Sequence, residues 1–167
     1  MARDEEFTAF VTGAGARLRR TAFLMTGNWH EAEDLTQSAL ARLYVAWPRV
    51  RVDGAEAYAR TVLVRTLVDA RRRFWRRERP SADLPEVAVP VAAPEDRLDL
   101  ARALEGLPVG QRAVLVLRFW EDWPVEQVAR ALAISPGTVK SRTARGLETL
   151  RVGMHVDTVV TGGEGQP

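Results

Sequence analysis

Apolar side chains recur every three or four positions along most of the chain, the spacing of one face of an α-helix. The first such run ends near Gly27, and its predicted inward residues are Phe7, Phe10, Val11, Ala14, Leu18, Ala22 and Leu24. Two more helices are predicted at about 30–46 and 55–77, with inward residues Ala32, Leu35, Ala39, Leu40 and Leu43, then Ala59, Val62, Leu63, Thr66, Leu67, Ala70 and Phe74. Between these helices Pro48 cannot continue a helix and Gly54 marks a turn. The pattern predicts a three-helix bundle.

The helical spacing is lost between Arg79 and Asp96, a segment that contains four prolines. Such a length without regular spacing is typical of a linker between domains. The spacing then returns and predicts four shorter helices, at about 97–105, 109–120, 125–132 and 136–151. We therefore predict an all-α chain of two small helical domains, joined by a Pro/Ala-rich flexible linker and followed by a tail whose last residues, TGGEGQP, look frayed. The predicted bounds are 1–78 and 97–152 for the domains, 79–96 for the linker and 153–167 for the tail.

The last two predicted helices are joined very tightly, in the stretch ALAISPGTVKSRTARGLETL from Ala131 to Leu150. Pro124 and Pro136 each open a helix, where the missing N–H of proline would be unpaired anyway. Ser135 precedes the second helix and can cap it through its hydroxyl. The pattern favours a helix-turn-helix. The alternative is a packing corner whose outer face is merely solvated.

Helical periodicity divides the second helix of this pair into two faces. Its predicted inward stripe is Val139, Thr143, Leu147 and Leu150. The opposite face and its flanks carry hydroxyl, guanidinium and ammonium groups, which are the groups that DNA base edges and phosphates bind. The candidate DNA-binding residues are Ser135, Thr138, Lys140, Ser141, Arg142 and Arg145.

Composition excludes several classes of function. The chain has no cysteine, and therefore no disulfide, thiolate metal site or thiol switch. No stretch approaches the ~20 apolar residues of a membrane span, and the acidic start MARDEEF is unlike a secretory signal, so we predict a cytoplasmic protein. There is no Ser/His/Asp set, glycine-rich phosphate loop or metal-ligand spacing, and the only histidines are His30 and His155. We expect no catalytic residue, cofactor, metal or small-molecule substrate.

The net charge is only +2, but positive charge is concentrated in the third predicted helix. Residues 58–79 contain eight arginines against Asp69 and Glu78. Arginines offer phosphate contacts, and interleaved aromatic side chains suit stacking on unpaired bases. An alternative is that the aromatic residues only fill the core or cover the linker. The candidate residues of this helix and of the loop before it are Arg49, Arg51, Tyr58, Arg60, Arg65, Arg71, Arg72 and Trp75.

Negative charge is concentrated at the start of the second predicted helix, and the candidate residues there are Glu31, Glu33, Asp34 and Gln37. Acidic residues at a helix start also stabilise the helix dipole, which is the structural alternative. A metal site with His30 is disfavoured, because positions 30, 31, 33 and 34 do not all point the same way on a helix. Two surfaces of opposite sign indicate two kinds of partner.

Three stretches resemble the extracytoplasmic-function group of bacterial sigma factors. ALAISPGTVKSR resembles region 4.2, whose usual run is A-x-x-L-G-I-S-x-G-T-V-K-S-R. MTGNWHEAEDLTQSALARLYVAW resembles regions 2.1–2.2 with their acidic D-A-E-D-L-x-Q core, and AYARTVLVRTLVDARRR resembles regions 2.3–2.4. Ala133 stands where the family has glycine, so a left-handed alanine is expected there. Arg65 stands where asparagine is usual.

The resemblance implies a sigma factor that binds core RNA polymerase and directs promoter-specific initiation. In the family the acidic surface docks on a basic coiled coil of the largest polymerase subunit. The arginine-rich helix and the loop from Pro48 to Gly54 hold the melted -10 element, with one base flipped into a loop pocket, while the helix-turn-helix reads duplex -35 DNA. The implied partners are core RNA polymerase, promoter DNA and an anti-sigma factor.

The alternative function is a helix-turn-helix transcriptional regulator that acts without being a polymerase subunit. Such a regulator should carry a sensor or receiver domain, and a receiver would show alternating strand and helix patterns. Residues 1–78 show no such alternation.

Overall fold

The computed structural model describes the backbone of residues 1–77 and 95–161 and the side chains of residues 1–72 and 100–153. Every regular element within those ranges is helical, which confirms the all-α prediction. The chain divides into two compact units, residues 1–90 and 91–167. Most of the predicted linker, the side chains of Phe74 and Trp75, and the end of the predicted tail lie outside the described residues.

The first unit is a bundle of three helices, α1 (Ala2–Thr26), α2 (Trp29–Ala46) and α3 (Ala55–Arg77). Gly27 ends α1 in the left-handed conformation, with φ of 74°, and its N–H donates to the Phe23 carbonyl at 2.7 Å. Asn28 then caps α2, because its side chain accepts a hydrogen bond from the Glu31 amide. These two residues let α1 turn back directly into α2.

The core of the first unit lies along the predicted inward stripes of its three helices. Leu18, Leu24, Leu43 and Leu63 are buried as predicted. Ala70 was expected in the core as well, but it is exposed, so the inward stripe of α3 ends before it. Burial of this apolar surface, at ~25 cal/mol per Å², is the main force that closes the bundle.

Aromatic rings fix α1 against the end of α2. The Phe7 ring meets the rings of Tyr44 and Trp47 edge-on, with centroids 5.1 and 5.2 Å apart. The Tyr44 hydroxyl donates to the Asp4 carboxylate at 2.7 Å, and this hydrogen bond raises the pKa of Tyr44. Aromatic contacts and a hydrogen bond therefore together hold the start of α1 on the bundle.

Two short 3₁₀ turns, Trp47–Arg49 and Val52–Gly54, connect α2 to α3. Trp47 is buried in the bundle and anchors the first turn, while Arg49, Val52 and Gly54 are exposed. The connection therefore forms an ordered surface loop whose base is fixed in the core.

The second unit contains α4 (Glu95–Glu105), α5 (Val109–Leu115), α6 (Val125–Leu132) and α7 (Pro136–Thr161). The first of these begins two residues before its predicted start at 97, so it includes the last two residues of the predicted linker. The last extends well past Arg151, the predicted end of this helix, so the part of the predicted tail up to Thr161 is helical. No proline or glycine pair interrupts the sequence before Gly162, and the helix continues accordingly.

The helix α5 runs into a π-helical turn, Val116–Trp120, before α6. The wider turn leaves Phe119 and Trp120 exposed at its end. They border an apolar groove of about 260 Å³, whose other lining residues are Leu100, Leu104, Leu115, Val116, Leu147 and Leu150.

The inward stripe of α7 differs from the prediction at one position. Val139 is fully buried and Thr143 and Leu150 are half-buried, but Leu147 is 41% exposed at the edge of the groove. Gly146 is buried in its place, and a Cβ built on it would lie 2.8 Å from the Leu115 Cδ1 atom. The prediction for Leu147 was wrong because α5 approaches α7 so closely that only glycine fits at their crossing.

We predict that Gly146→Ala destabilises the second unit. The new methyl group would meet buried Leu115, and overpacking of this kind costs ~1–3 kcal/mol. Over most of that range the cost is larger than the ~1 kcal/mol that alanine gains over glycine in a helix. Gly153→Ala is the matched control, because nothing lies within 4 Å of its added Cβ. Native-state amide hydrogen exchange in α5 and α7 should be faster in Gly146→Ala and unchanged or slower in Gly153→Ala. Equal protection in the two variants would contradict the close crossing.

Candidate functional site

The pair α6 and α7 has the geometry of a helix-turn-helix. Ala133 ends α6 in the left-handed conformation, with φ of 55°, as the sequence predicts. The next residue, Ile134, returns its N–H to the Ala129 carbonyl at 3.1 Å. The Ser135 Oγ atom accepts a hydrogen bond from the Thr138 amide at 3.1 Å, so the predicted cap of α7 is confirmed.

The three predicted hydroxyl contacts on α7 hydrogen-bond to one another or to the backbone. Ser135 and Thr138 share a hydrogen bond of 2.8 Å between their hydroxyls. The Ser141 hydroxyl donates to the Thr138 carbonyl at 3.1 Å. Because a hydroxyl oxygen can still accept, these groups remain able to meet a donor from DNA, but their first role is to shape the start of α7.

Two predicted cations of α7 project into solvent. Lys140 and Arg145 are both exposed, and within the described side chains neither forms an ion pair. Glu148 follows Arg145 by one turn and could pair with it, but no ion pair between them is formed. Both cations are therefore available to an external ligand.

Arg142 lies in a different environment from Lys140 and Arg145. It is half-buried on the side of α7 that faces α5, and its guanidinium lies over Gly110. The sequence pattern placed it at the flank of the DNA-binding face without indicating this contact.

The loop between α2 and α3 forms a second feature, a shallow pocket of about 260 Å³. Its lining residues are Ala46, Arg49, Val50, Arg51, Gly54 and Tyr58. Tyr58 is 39% exposed, so one part of its ring is anchored and another is accessible. Arg51 reaches Asp53 at 3.4 Å, but both side chains are almost fully exposed, so this pair contributes little and leaves the guanidinium accessible. Cationic groups and an aromatic ring thus border a cavity, as stacking of an unpaired base requires.

The predicted arginines of α3 divide into exposed and paired side chains. Arg65 and Arg72 are exposed, and no ion pair involves them within the described side chains. Arg60 pairs with Glu56 at 3.3 Å along the same helix. Arg71 is half-buried and donates to Glu31 of α2 at 2.9 Å. Its guanidinium is therefore already engaged inside the bundle, and Trp75 has no described side chain.

The candidate residues at the acidic start of α2 also divide into exposed and paired side chains. Glu33, Asp34 and Gln37 are exposed, and only Glu31 lies in the first turn of the helix. Since the dipole effect falls off within the first turn, helix stabilisation accounts for Glu31 and not for the other two acids. The described residues contain no cluster of three His, Asp or Glu side chains able to hold a metal ion.

Ion pairs between the acidic helix and the arginine-rich helix were not predicted from the sequence. Besides Glu31 and Arg71, Arg42 of α2 binds Asp69 of α3 at 2.7 Å. These partners are far apart in sequence, so no local spacing signals them. In the first pair the cation lies on α3 and in the second it lies on α2, so the seam contains ion pairs of both orientations.

No helix in the part of the chain that the structure describes is both long enough and apolar enough to cross a lipid bilayer.

Comparisons with known proteins identify a family for each of the two units. The family model described as Sigma-70 region 2 matches residues 10–77, and the model described as Sigma-70, region 4 matches residues 97–150. The RNA polymerase sigma-E factor of Streptomyces coelicolor is 38% identical over 87% of this chain and 84% of its own length. The ECF RNA polymerase sigma factor SigL of Mycobacterium tuberculosis is 38% identical over 82% of each chain.

A solved structure resembles the fold. It is the sigma factor RpoE of Bartonella quintana in complex with the anti-sigma factor NepR, with a TM-score of 0.65 and 21% identity. The match covers 92% of this chain and 99% of that chain.

Proposed function

The chain belongs to the extracytoplasmic-function group of the sigma-70 family, and we propose that it binds core RNA polymerase and directs it to promoters. The observation that carries this function is the order of the two matched regions. A unit with opposed acidic and arginine-rich faces precedes a unit with a helix-turn-helix. A regulator that acts apart from polymerase would not require the first of these units.

We assign the -10 element to the loop pocket and the exposed arginines of α3. Arg49, Arg51 and Tyr58 border the pocket, and Arg65 and Arg72 are the exposed cations further along the helix. A base that leaves the stack can lie against the Tyr58 ring, and the arginines bind the flanking phosphates. Arg60 and Arg71 take part only when they exchange their carboxylate partners for phosphate.

Promoter melting requires no bond-making by this chain. Selective binding of the single strand shifts the equilibrium of the duplex towards the open form, by the free energy with which the open strand is preferred. The loop pocket supports such selective binding, because it can hold an unpaired base and every base in a duplex is paired.

We assign the -35 element to the exposed face of α7. In a helix-turn-helix the second helix enters the major groove and presents its first residues to the base edges. Ser141 and Arg145 face outward on successive turns, while Lys140 lies at the flank, where a flexible point charge suits phosphate. Ser135 and Thr138 lie at the tip of the helix, where they approach the DNA backbone.

The acidic face of α2, formed by Glu33, Asp34 and Gln37, is proposed to dock on a basic surface of core polymerase. An anti-sigma factor is the further protein partner that the family resemblance implies. The apolar groove beside Phe119, Trp120 and Leu147 is a surface of the second unit whose chemistry suits a protein contact. We propose a cytoplasmic location for the chain, because core polymerase and promoter DNA are found there.

Run-off transcription tests the proposed function. Purified chain and core polymerase should give discrete transcripts from a subset of genomic fragments, while core polymerase alone gives none of them. A chain that binds the same fragments but yields no start site with core polymerase would be a regulator and would exclude the sigma-factor function.

A further inference from the structure

The guanidinium of Arg142 occupies the space that a side chain at position 110 would take. A Cβ built on Gly110 would lie 2.9 Å from Arg142 Nη1, 3.0 Å from Cζ and 3.4 Å from Nε. All three atoms belong to the planar guanidinium group. This group therefore rests against the backbone at the start of α5.

The position of Arg142 on α7 explains this contact. It lies one turn after fully buried Val139 and one turn before Gly146, the residue at which α7 crosses α5. The aliphatic part of the Arg142 side chain consequently follows the packed side of α7, and its guanidinium lies beside Gly110. Arginine commonly buries its stem in this way while it keeps its charge at the surface.

Among the described side chains and backbone, the guanidinium of Arg142 has no hydrogen-bond acceptor. In the part of the chain whose side chains are described, no hydrogen bond or ion pair involves its guanidinium, although that group carries five N–H donors in a fixed fork. Its side chain is nevertheless half-buried and set against backbone. A donor group that is held in place and left without an acceptor is prepared for an external one.

We infer that Gly110 is a positioning residue that holds the Arg142 guanidinium for a phosphate of the -35 duplex. This inference rests on the proposed function. A helix in the major groove has the phosphates of the duplex on either side of it. The Arg142 guanidinium lies beside α7, against the start of α5, and so on one of these sides. Its planar fork matches two phosphate oxygens. Arg142 therefore positions the protein on DNA, while Arg145 reads the bases.

The test compares Gly110→Ala, Arg142→Ala and the double variant as holoenzymes with core polymerase. Alanine at position 110 displaces only the end of a flexible side chain and suits a helix, so thermal stability should stay near that of the original chain. Binding to promoter DNA should nevertheless weaken on the order of fivefold in both single variants, because a charge-assisted contact is lost. The slope of log K against log salt should become shallower by about 0.9 in each, and the double variant should lose no more than either.

Gly106→Ala is the matched control, since its added Cβ meets nothing within 4 Å, and it should bind promoter DNA normally. The positioning role is overturned if Gly110→Ala keeps the original salt slope, if the two losses add in the double variant, or if the loss follows a fall in stability. A changed ranking of -35 base substitutions in Arg142→Ala would overturn the phosphate role. Failure of the proposed function can be distinguished from failure of this inference, because the unmodified holoenzyme would then show no promoter preference at all.

Discussion

Charge reversal at Glu33 and Asp34 is expected to abolish co-purification of the chain with core RNA polymerase. Both carboxylates are exposed on α2 beyond its first turn, and neither forms an ion pair within the described side chains. Like charges placed face to face across an interface cost several kcal/mol, so the variant Glu33→Lys/Asp34→Lys should bind core polymerase at least ~100-fold more weakly. Affinity pull-down of tagged core polymerase measures the loss.

The same variant should remain folded. The helix dipole acts mainly on the first turn, so the substitutions cost α2 little, and the far-ultraviolet circular dichroism spectrum should be unchanged. Glu6→Lys/Glu105→Lys is the matched control, because it changes the net charge equally at two other exposed acids that lie beyond the first turns of α1 and α4. Undiminished binding of the Glu33 and Asp34 variant, or an equal loss in the control, would show that α2 is not the docking surface.

Arg145→Ala and Lys140→Ala are expected to impair -35 binding in different ways. The guanidinium of Arg145 is exposed on the outer face of α7, where it can make a bidentate contact to guanine. Its loss should cost ~1–3 kcal/mol and relax the preference at one base pair. Lys140 is exposed at the flank, so its loss should weaken binding to all -35 sequences alike and reduce the salt slope by about one phosphate contact.

Binding of both variants to a set of single-base -35 substitutions, at two salt concentrations, distinguishes these effects. Arg145 would be only structural if its variant lost thermal stability and ranked the substitutions as the original chain does. Lys140 would be a base contact if its removal altered that ranking. The absence of an Arg145–Glu148 ion pair among the described side chains favours the first expectation for Arg145.

The bounds of α3 could be predicted from sequence because strong local signals surround it. Pro48 and Gly54 end the preceding element, and the apolar period of α3 is regular until Leu67. Residue types with special local roles were equally informative. Ser135 was predicted as a cap and Ala133 as a left-handed residue, and both predictions are confirmed by the geometry of the turn.

Contacts between helices could not be predicted in this way. The hydrophobic period selected Leu147 for the core, yet the close approach of Leu115 leaves room only for Gly146. A glycine carries no hydrophobic signal, so the crossing is invisible in a pattern of apolar residues. The same holds for the candidate site, where the pairing of Arg71 with Glu31 depends on the packing of α2 against α3 and not on any local spacing.

Lys140, exposed on the outer part of α7, is the only lysine in the 167 residues. Apart from the α-amine, it is consequently the sole target for amine-reactive reagents. Once the α-amine has been blocked, a fluorophore ester would place one dye at Lys140, beside the proposed -35 surface. The lack of cysteine allows a second dye at an introduced thiol on the first unit. The chain can thus carry an orthogonally labelled pair without removal of any natural residue, and energy transfer between the dyes would report changes in separation as a promoter is engaged.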